Sequence, residues 1–375
     1  MKLIKLIPAL FFLAPFIVHA EAGVTNNKIT IGQSAAFSGP AAGLGTNVRA
    51  GAMAYFDQIN KAGGVHGRQI ELISLDDGYE SELAAENTKQ LIGRHNVFAL
   101  FGYVGTPTSL AAQPIFDAAG TLFFGPVTGA EKLRKPFNRN IFNVRASYFD
   151  ETEEIVKFLG KERAATAAVV YQNDSYGQAG LAGVVRAMDM IGCTPACKPV
   201  GTATVERNSV DVSAAVAKMV ELKPKIVIII TAYKSSAQIS KMLDKALPGT
   251  QKMNVSFVGT TELIQELGKE GRGTVISQVV PFPYGNLEPL IKEYRKAIGD
   301  KISFTSLEGY INAAVFVEGL KRAGPDLTRA KFIKALESAG KIDLQGFLVA
   351  FSPENHNGSK FVETTMVRGN GTITR

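Results

Sequence analysis

Three short runs place glycines, hydroxyls and an aromatic where an apolar, strand-like stretch gives way to a helical one. Val104-Gly105-Thr106-Pro107-Thr108-Ser109 follows VFALFGY, Pro126-Val127-Thr128-Gly129-Ala130 follows TLFFG, and Tyr176-Gly177 follows VVYQNDS. The chemistry such a set can do is noncovalent capture of an anion. A helix start offers unpaired N–H groups and the positive end of the dipole, a seat for a carboxylate. Gly105 lets a ligand approach the backbone, Thr106 can cap, and Pro107 suits the first helical position. The same residues also make a plain capped helix, and caps are far commoner than sites. Tyr233, past the run KIVIIIT, pairs an apolar body with a polar tip; it and Tyr176 read as ligand wall or as surface packing. Thr261 and Glu262, after NVSFVGT, add a hydroxyl and a carboxylate.

Catalysis finds little support. Past residue 20 the histidines are His66, His95 and His356, in no triad, HExxH or nucleophile-elbow context. GLGTNVRAG has neither the glycine spacing of a dinucleotide fingerprint nor the lysine of a phosphate loop. No cofactor is expected.

The elements that must position these residues alternate. Strand-like and helical stretches follow one another from Ile29 to the strand IFNVRAS, and a second such series begins near Asp150. Apolar runs of this kind between helical stretches argue for parallel sheets covered on both faces. The region from Leu287 to about Ala339 reads as helical, and LVAFSP and FVETTMVRG read as closing strands. About 355 residues after a leader exceed a comfortable single core, so the expected class is α/β with two doubly wound parallel-sheet lobes.

The first 20 residues have the parts of a secretory signal: Lys2 and Lys5, the apolar run Leu6 to Val18, and Val18-His19-Ala20 as a cleavage site. The run is shorter than the roughly 20 residues a membrane helix needs, so an exported, soluble chain is expected. The formal charge of +7 falls to +5 without the two leader lysines. EKLRKPFNR (131–139) is the densest basic group; it reads as a solvated loop or a docking patch, and nothing has the aromatic interleaving of a nucleic-acid surface. Cys193 and Cys197 are spaced too widely for a redox motif and lack a nearby histidine for zinc; in an oxidising compartment such a pair reads as a local disulfide.

The run from Ile29 to Asp77 combines a strand, a small-residue loop, a long helix ending in Gly-Gly and a second strand closing on two aspartates. It resembles the opening βαβ unit of the type I periplasmic solute-binding proteins, in the branch with the leucine/isoleucine/valine-binding proteins of ABC importers. The resemblance covers most of the chain past the leader. It implies lobes joined by three hinge crossings near 145–148, 280–284 and 354–360. Lobe 1 would be 21–146 with 281–355, and lobe 2 would be 147–280 with 356–375. It further implies a monomer in the periplasm that closes on an amino acid or related small carboxylate and delivers it to an inner-membrane ABC permease. A ligand-sensing receptor of the same fold is the alternative.

By the same resemblance the ligand-binding residues are Gly105, Thr106, Val127, Thr128, Gly129, Tyr176, Tyr233, Thr261 and Glu262. Two departures stand out. Aligned on Pro126, the family's frequent threonine falls on Gly129, with Thr128 one place earlier. The acidic residue that pairs with a ligand ammonium aligns with Thr261, and Glu262 follows; either Glu262 takes the role or the ligand has no ammonium. Glu308 and Asp77 are the alternatives for that role, and both read first as surface or capping residues. Leu44 stands where some relatives have an aromatic wall, beside Phe37 and Ser38.

Overall fold

Ile226–Ile230 is a run of five branched apolar residues, all buried, as a strand covered on both faces requires. The computed structural model describes residues 21–192 and 198–375; the expected leader and the Cys193–Cys197 pair lie outside the described residues. The chain opens with β1 (Lys28–Ala35), α1 (Ala42–Lys61), β2 (Gln69–Asp76), α2 (Ser81–Gly93), β3 (Ala99–Phe101), α3 (Thr106–Ala118), β4 (Leu122–Phe124) and β5 (Ile141–Phe142). These strands form one parallel sheet in the order β2-β1-β3-β4-β5.

The second series is α4 (Tyr148–Ala164), β6 (Ala167–Gln172), α5 (Ser175–Met190), β7 (Thr202–Val205), α6 (Ser213–Leu222), β8 (Ile226–Ile230), α7 (Tyr233–Ala246), β9 (Gln251–Asn254), α8 (Thr260–Leu267) and β10 (Val275–Gln278). The chain then returns through α9 (Pro289–Ile298), α10 (Phe304–Ala323) and α11 (Arg329–Glu337) to the hairpin of β11 (Lys341–Asp343) and β12 (Leu348–Ala350). It ends in β13 (Glu363–Val367) and β14 (Ile373–Thr374). The second sheet runs β14-β13-β10-β9-β8-β6-β7; its last two strands in sequence are antiparallel additions to a parallel core. The α/β class with two parallel-sheet lobes is therefore as expected, while LVAFSP and FVETTMVRG supply strands of different sheets.

Helix α10 seals the first sheet. Phe304 to Val317 is buried without a break, so its neighbours surround it. It crosses α1 at glycines because nothing larger fits: a Cβ on Gly51 would lie 1.7 Å from Ser306 O, and one on Gly309 would lie 2.0 Å from Val48 O. Asn312 donates to Gly125 O (3.0 Å), tying α10 to the loop after β4. In both sheets the strand order reverses once, between β1 and β3 and between β6 and β8. Ligands of open α/β sheets settle outside the carboxyl ends of the strands at such points. Here the two sets of loops face each other. One apolar cluster joins Ala36, Leu44, Tyr79 and Val127 of the first lobe to Tyr148, Tyr176, Tyr233 and Phe257 of the second. The lobes are closed on one another.

One expected strand fails. NVSFVGT contributes only Asn254 to β9; Ser256–Val258 is a single 3-10 turn, ended by Gly259 at φ +78°. The turn is held by Glu151, whose Oε2 accepts from Ser256 N (2.8 Å). The apolar pattern marks burial here, and the conformation is set by that carboxylate.

Candidate ligand-binding site between the lobes

The first wall of the site is two loops laced together. Gly105 N donates to Val127 O (3.2 Å) and Val127 N to Tyr103 O (2.7 Å), so the turn before α3 and the turn after β4 act as one. Gly105 is the N-cap at φ +103°, and a Cβ there would fall 2.2 Å from the Tyr79 ring, so glycine is needed on both counts. The first residues of α3 sit ahead of the helix's own ladder, leaving donors directed out of the helix start. Beside them the hydroxyls of Thr106 and Thr128 lie 2.7 Å apart, both buried. Thr128, not Gly129, carries the loop's hydroxyl. Gly129 instead fastens the loop to α4. Its carbonyl accepts from Tyr148 N (2.8 Å), and a Cβ would lie 2.4 Å from that nitrogen.

The second wall is aromatic. Thr128 Oγ1 donates to Tyr148 Oη (3.4 Å). The Tyr148 ring centroid is 5.4 Å from that of Tyr176, which is 4.6 Å from that of Phe257; Tyr79 stands 5.9 Å from Phe257. Burial pushes the phenol of Tyr148 up to about 12 and that of Tyr176 well above its usual range, so both are neutral donors at physiological pH. Tyr176 Oη is buried and has no hydrogen-bond partner among the described residues. A buried phenol ordinarily finds one, and leaving it unmet costs roughly 1–3 kcal/mol.

Tyr233 and Glu262 are brought together at a second place, the start of α1. Tyr233 Oη accepts from Gly43 N (3.2 Å), and Glu262 Oε1 accepts from Asn47 Nδ2. Leu44 packs against Gly259 and belongs to the same interlobe cluster as the aromatic wall. Glu262 is buried, and desolvation raises its carboxyl above the usual range; its Oε2 has no partner among the described residues. With Gly43, Asn47 and Tyr233 it lines a cleft of about 440 Å³. Thr261 lines the same cleft, with its hydroxyl 3.3 Å from Tyr284 Oη. Of the nine expected residues, then, six converge with Tyr148 on one polar-and-aromatic centre, and Tyr233, Thr261 and Glu262 line the cleft at α1.

Two further expectations change. Glu308 is no surface residue: both its oxygens take Arg145 Nη1 (3.3 and 3.5 Å), and Arg145 Nη2 also reaches Glu151 (2.6 Å) and Ser256. Asp77 is buried within a turn, accepting from Ser34 Oγ (2.7 Å) and Tyr79 N (2.9 Å). His356, in a polar sequence, is also buried, stacked 3.8 Å from Phe142 and 3.3 Å from Glu337. Ser38 is exposed, while Phe37 is partly buried against the interlobe cluster. Sequence reasoning does not reach Tyr79, Tyr148, Phe257, Asn47 or Arg145. Only Tyr148 has a local signal: Ser147 and Asp150 form a capping box around it, an S-x-x-D pattern that marks a helix start after β5.

Comparisons with known proteins agree with this architecture. The family described as periplasmic binding protein matches residues 28–372. A Leu/Ile/Val-binding protein homolog 3 of Brucella melitensis is 25% identical over 325 residues, covering 84% of each chain. The crystal structure of a possible leucine/isoleucine/valine-binding protein from Rhodopirellula baltica superposes with a TM-score of 0.88 at 34% identity, over 93% of this chain and 96% of that one. A substrate-binding periplasmic protein from Ralstonia solanacearum gives 0.86 at 29% identity, over 92% and 99%. Both the fold and the family are those of solute-binding proteins rather than of enzymes. No helix among the described residues is long and apolar enough to cross a membrane. The chain belongs to the periplasmic binding protein family and is of the Leu/Ile/Val-binding type.

Proposed function

We propose that this chain is the periplasmic solute-binding component of an ABC importer, and that its ligand is an α-amino acid. Closure about the crossings near 145–148, 280–284 and 354–360 encloses the ligand, and the closed monomer is what the permease recognises. The ligand carboxylate sits on the start of α3 with the Thr106 and Thr128 hydroxyls. Tyr148, Tyr176 and Phe257 cover it, and Glu262 Oε2 receives the ammonium.

The observation that carries this reading is the pair of unmet groups inside a closed interface. The Tyr176 phenol offers a donor and Glu262 Oε2 an acceptor, both buried and without a partner among the described residues. A ligand carrying one anionic and one cationic end answers both. The names of the relatives support the same class, since the Brucella protein is called a Leu/Ile/Val-binding homologue. Closure itself is a population shift as large as the ligand's preference for the closed form.

Calorimetric titration of the purified chain with leucine, valine, phenylalanine and the corresponding 2-keto acids tests the proposal. One amino acid is expected to bind far more tightly than its keto acid, and Thr106→Ala is expected to weaken it by roughly 1–3 kcal/mol through a lost charge-assisted hydrogen bond. Keto acids binding as tightly as amino acids would remove Glu262 from the ligand. An unchanged affinity in Thr106→Ala would remove the α3 seat.

A further inference from the structure

We propose a second binding site, adjoining the interlobe cleft and sharing Thr261 and Gln265 with it, for a small carboxylate with an apolar or aromatic body. It is a cavity of about 540 Å³ beside the segment that leaves β10. Volumes of a few hundred cubic ångströms are those of small-molecule sites. Three separate parts of the chain wall it: Ile264 of α8, Phe282 and Tyr284 of the crossing segment, and Ile373 of β14.

The charge in the cavity selects the ligand. Among the described residues Arg368 is the only charged side chain lining it; the others are apolar or aromatic, or carry the hydroxyls and amide of Thr261, Gln265 and Thr372. The Arg368 guanidinium donates to Thr374 Oγ1 through Nη2 (2.9 Å) and forms no ion pair among the described residues. The neighbouring cation is already committed: Arg375 lies over the Phe282 ring and within 4 Å of both Glu288 and Glu363. A guanidinium with open donors at the edge of an apolar, aromatic-lined space is complementary to a carboxylate whose body fills that space. Arg368 is exposed, so water serves it when the cavity is empty; a cationic occupant would be repelled by it and a purely apolar one would gain nothing from it.

The cavity also touches the closure machinery. The Tyr284 hydroxyl joins Thr261 of α8 (3.3 Å) to Ile302 O (3.4 Å), which lies just before α10. Thr261 is next to Glu262, which holds Asn47 of α1. An occupant packed on Tyr284 therefore braces a contact between the lobes, and binding at the two sites is coupled with equal effect in both directions.

The experiment uses the whole mature chain with carbon-13-labelled isoleucine methyls, and 3-phenylpropionate as the probe. Shifts of the Ile264 and Ile373 methyls are expected on titration, and again in Thr106→Ala, where the interlobe seat is damaged. Arg368→Gln should weaken these shifts at least about tenfold, Arg368→Lys should retain most of the affinity, and neutral 3-phenylpropionamide should be at least as weak. Ile264→Trp, which fills the cavity and keeps the charge, should abolish the Ile373 shift. Unchanged remaining methyl signals report an intact fold. Absence of Ile264 and Ile373 shifts at millimolar probe would overturn the site, as would equal response to acid and amide or full affinity in Arg368→Gln.

Discussion

Arg207 Nη2 lies 2.7 Å from Glu80 Oε2, and the two residues belong to different lobes: Arg207 follows β7 and Glu80 is the N-cap of α2. The pair is the centre of a strap. Arg207 Nη1 reaches Ser81 Oγ (3.2 Å), Asn208 Nδ2 donates to Gly78 O (3.0 Å) and Glu80 Oε1 (2.7 Å), and Gln172 Nε2 donates to Tyr79 Oη (3.2 Å). All these bonds reach residues 78–81, and none includes the ligand. They are a reason to close that the protein brings itself. Partly exposed pairs of this kind contribute about 0.2–1 kcal/mol each, so Arg207→Ala should raise Kd by roughly fivefold, mainly through faster release. In a double-mutant cycle with Glu80→Ala the two effects should fail to add. Calorimetry together with the scattering radius of the unliganded protein reads both; additive effects, or no change in either variant, would dismiss the strap.

Asp77 gives a prediction in pH. Loss of water on burial, with Asp76 and Glu80 nearby, pushes its carboxyl up to about 6 despite the hydrogen bonds from Ser34 and Tyr79. Its unfolded value is near 3.9, so between the two the folded state binds more protons than the unfolded state. Stability from this group therefore rises as pH falls from above 6 toward 4 and is flat below that. The whole swing is on the order of 3 kcal/mol. Asp77→Asn keeps an acceptor for Tyr79 N and carries no charge to desolvate. It should melt higher than the parent at pH 7.5, with the advantage gone near pH 4. Parallel melting curves at both pH values would refute the assignment. Asp174 and Glu262 are also raised by burial, so the difference between variant and parent is the quantity to read.

What can be read from sequence follows how local each cause is. Gly105-Thr106-Pro107 announces a helix start by itself, and α3 begins at Thr106. Tyr176 follows the Asp174 N-cap, whose carboxylate accepts from the amides of Tyr176 and Gly177, again a bond between near neighbours. Tyr79 and Phe257 have no such cue. They matter because a chain separation of nearly two hundred residues is closed by packing, which no spacing rule encodes. Glu308 reads wrongly for the same reason. A carboxylate in an otherwise apolar helical run reads as solvated until its partner is known, and that partner, Arg145, is 163 positions away. The strand expected over NVSFVGT is lost to a carboxylate, Glu151, arriving from α4.

Arg145 holds that buried arrangement together, and removing it should be severe. Glu151 would keep Ser256 N and Ser277 Oγ (2.6 Å), but Glu308 has no other partner among the described residues and would be an uncompensated buried charge. Breaking one side of such a pair costs about 3–5 kcal/mol. Arg145→Met should therefore lose that much in denaturant unfolding at pH 7.5. Desolvation already raises the Glu308 carboxyl, and without the cation it rises further, so acidification should restore part of the loss. The double variant Arg145→Met/Glu308→Gln should recover part of it at neutral pH. A single variant as stable as the parent at pH 7.5 would contradict this account.

Glu262 separates the two ligand classes by a charge that can be removed without changing shape. Its Oε1 is taken by Asn47 and its Oε2 is unmet among the described residues, so the closed state holds a carboxylate with one oxygen to spare. Desolvation raises its carboxyl, which means closure without a cation favours the protonated form. A ligand ammonium reverses that preference by pairing with the ionised form. Affinity for an amino acid should therefore fall as pH drops through the raised value, somewhat above the ordinary carboxylate range, whereas affinity for the matching keto acid should not fall there. Glu262→Gln should weaken the amino acid by roughly tenfold or more, in line with a lost hydrogen bond to a charged group of about 1.5–3 kcal/mol, and should leave the keto acid unchanged or improved. It should also erase the pH dependence of amino-acid binding. Titrations of both ligands at pH 5 and pH 7.5, with parent and variant, decide the matter. Equal losses for amino acid and keto acid would mean that Glu262 acts through Asn47 and closure alone.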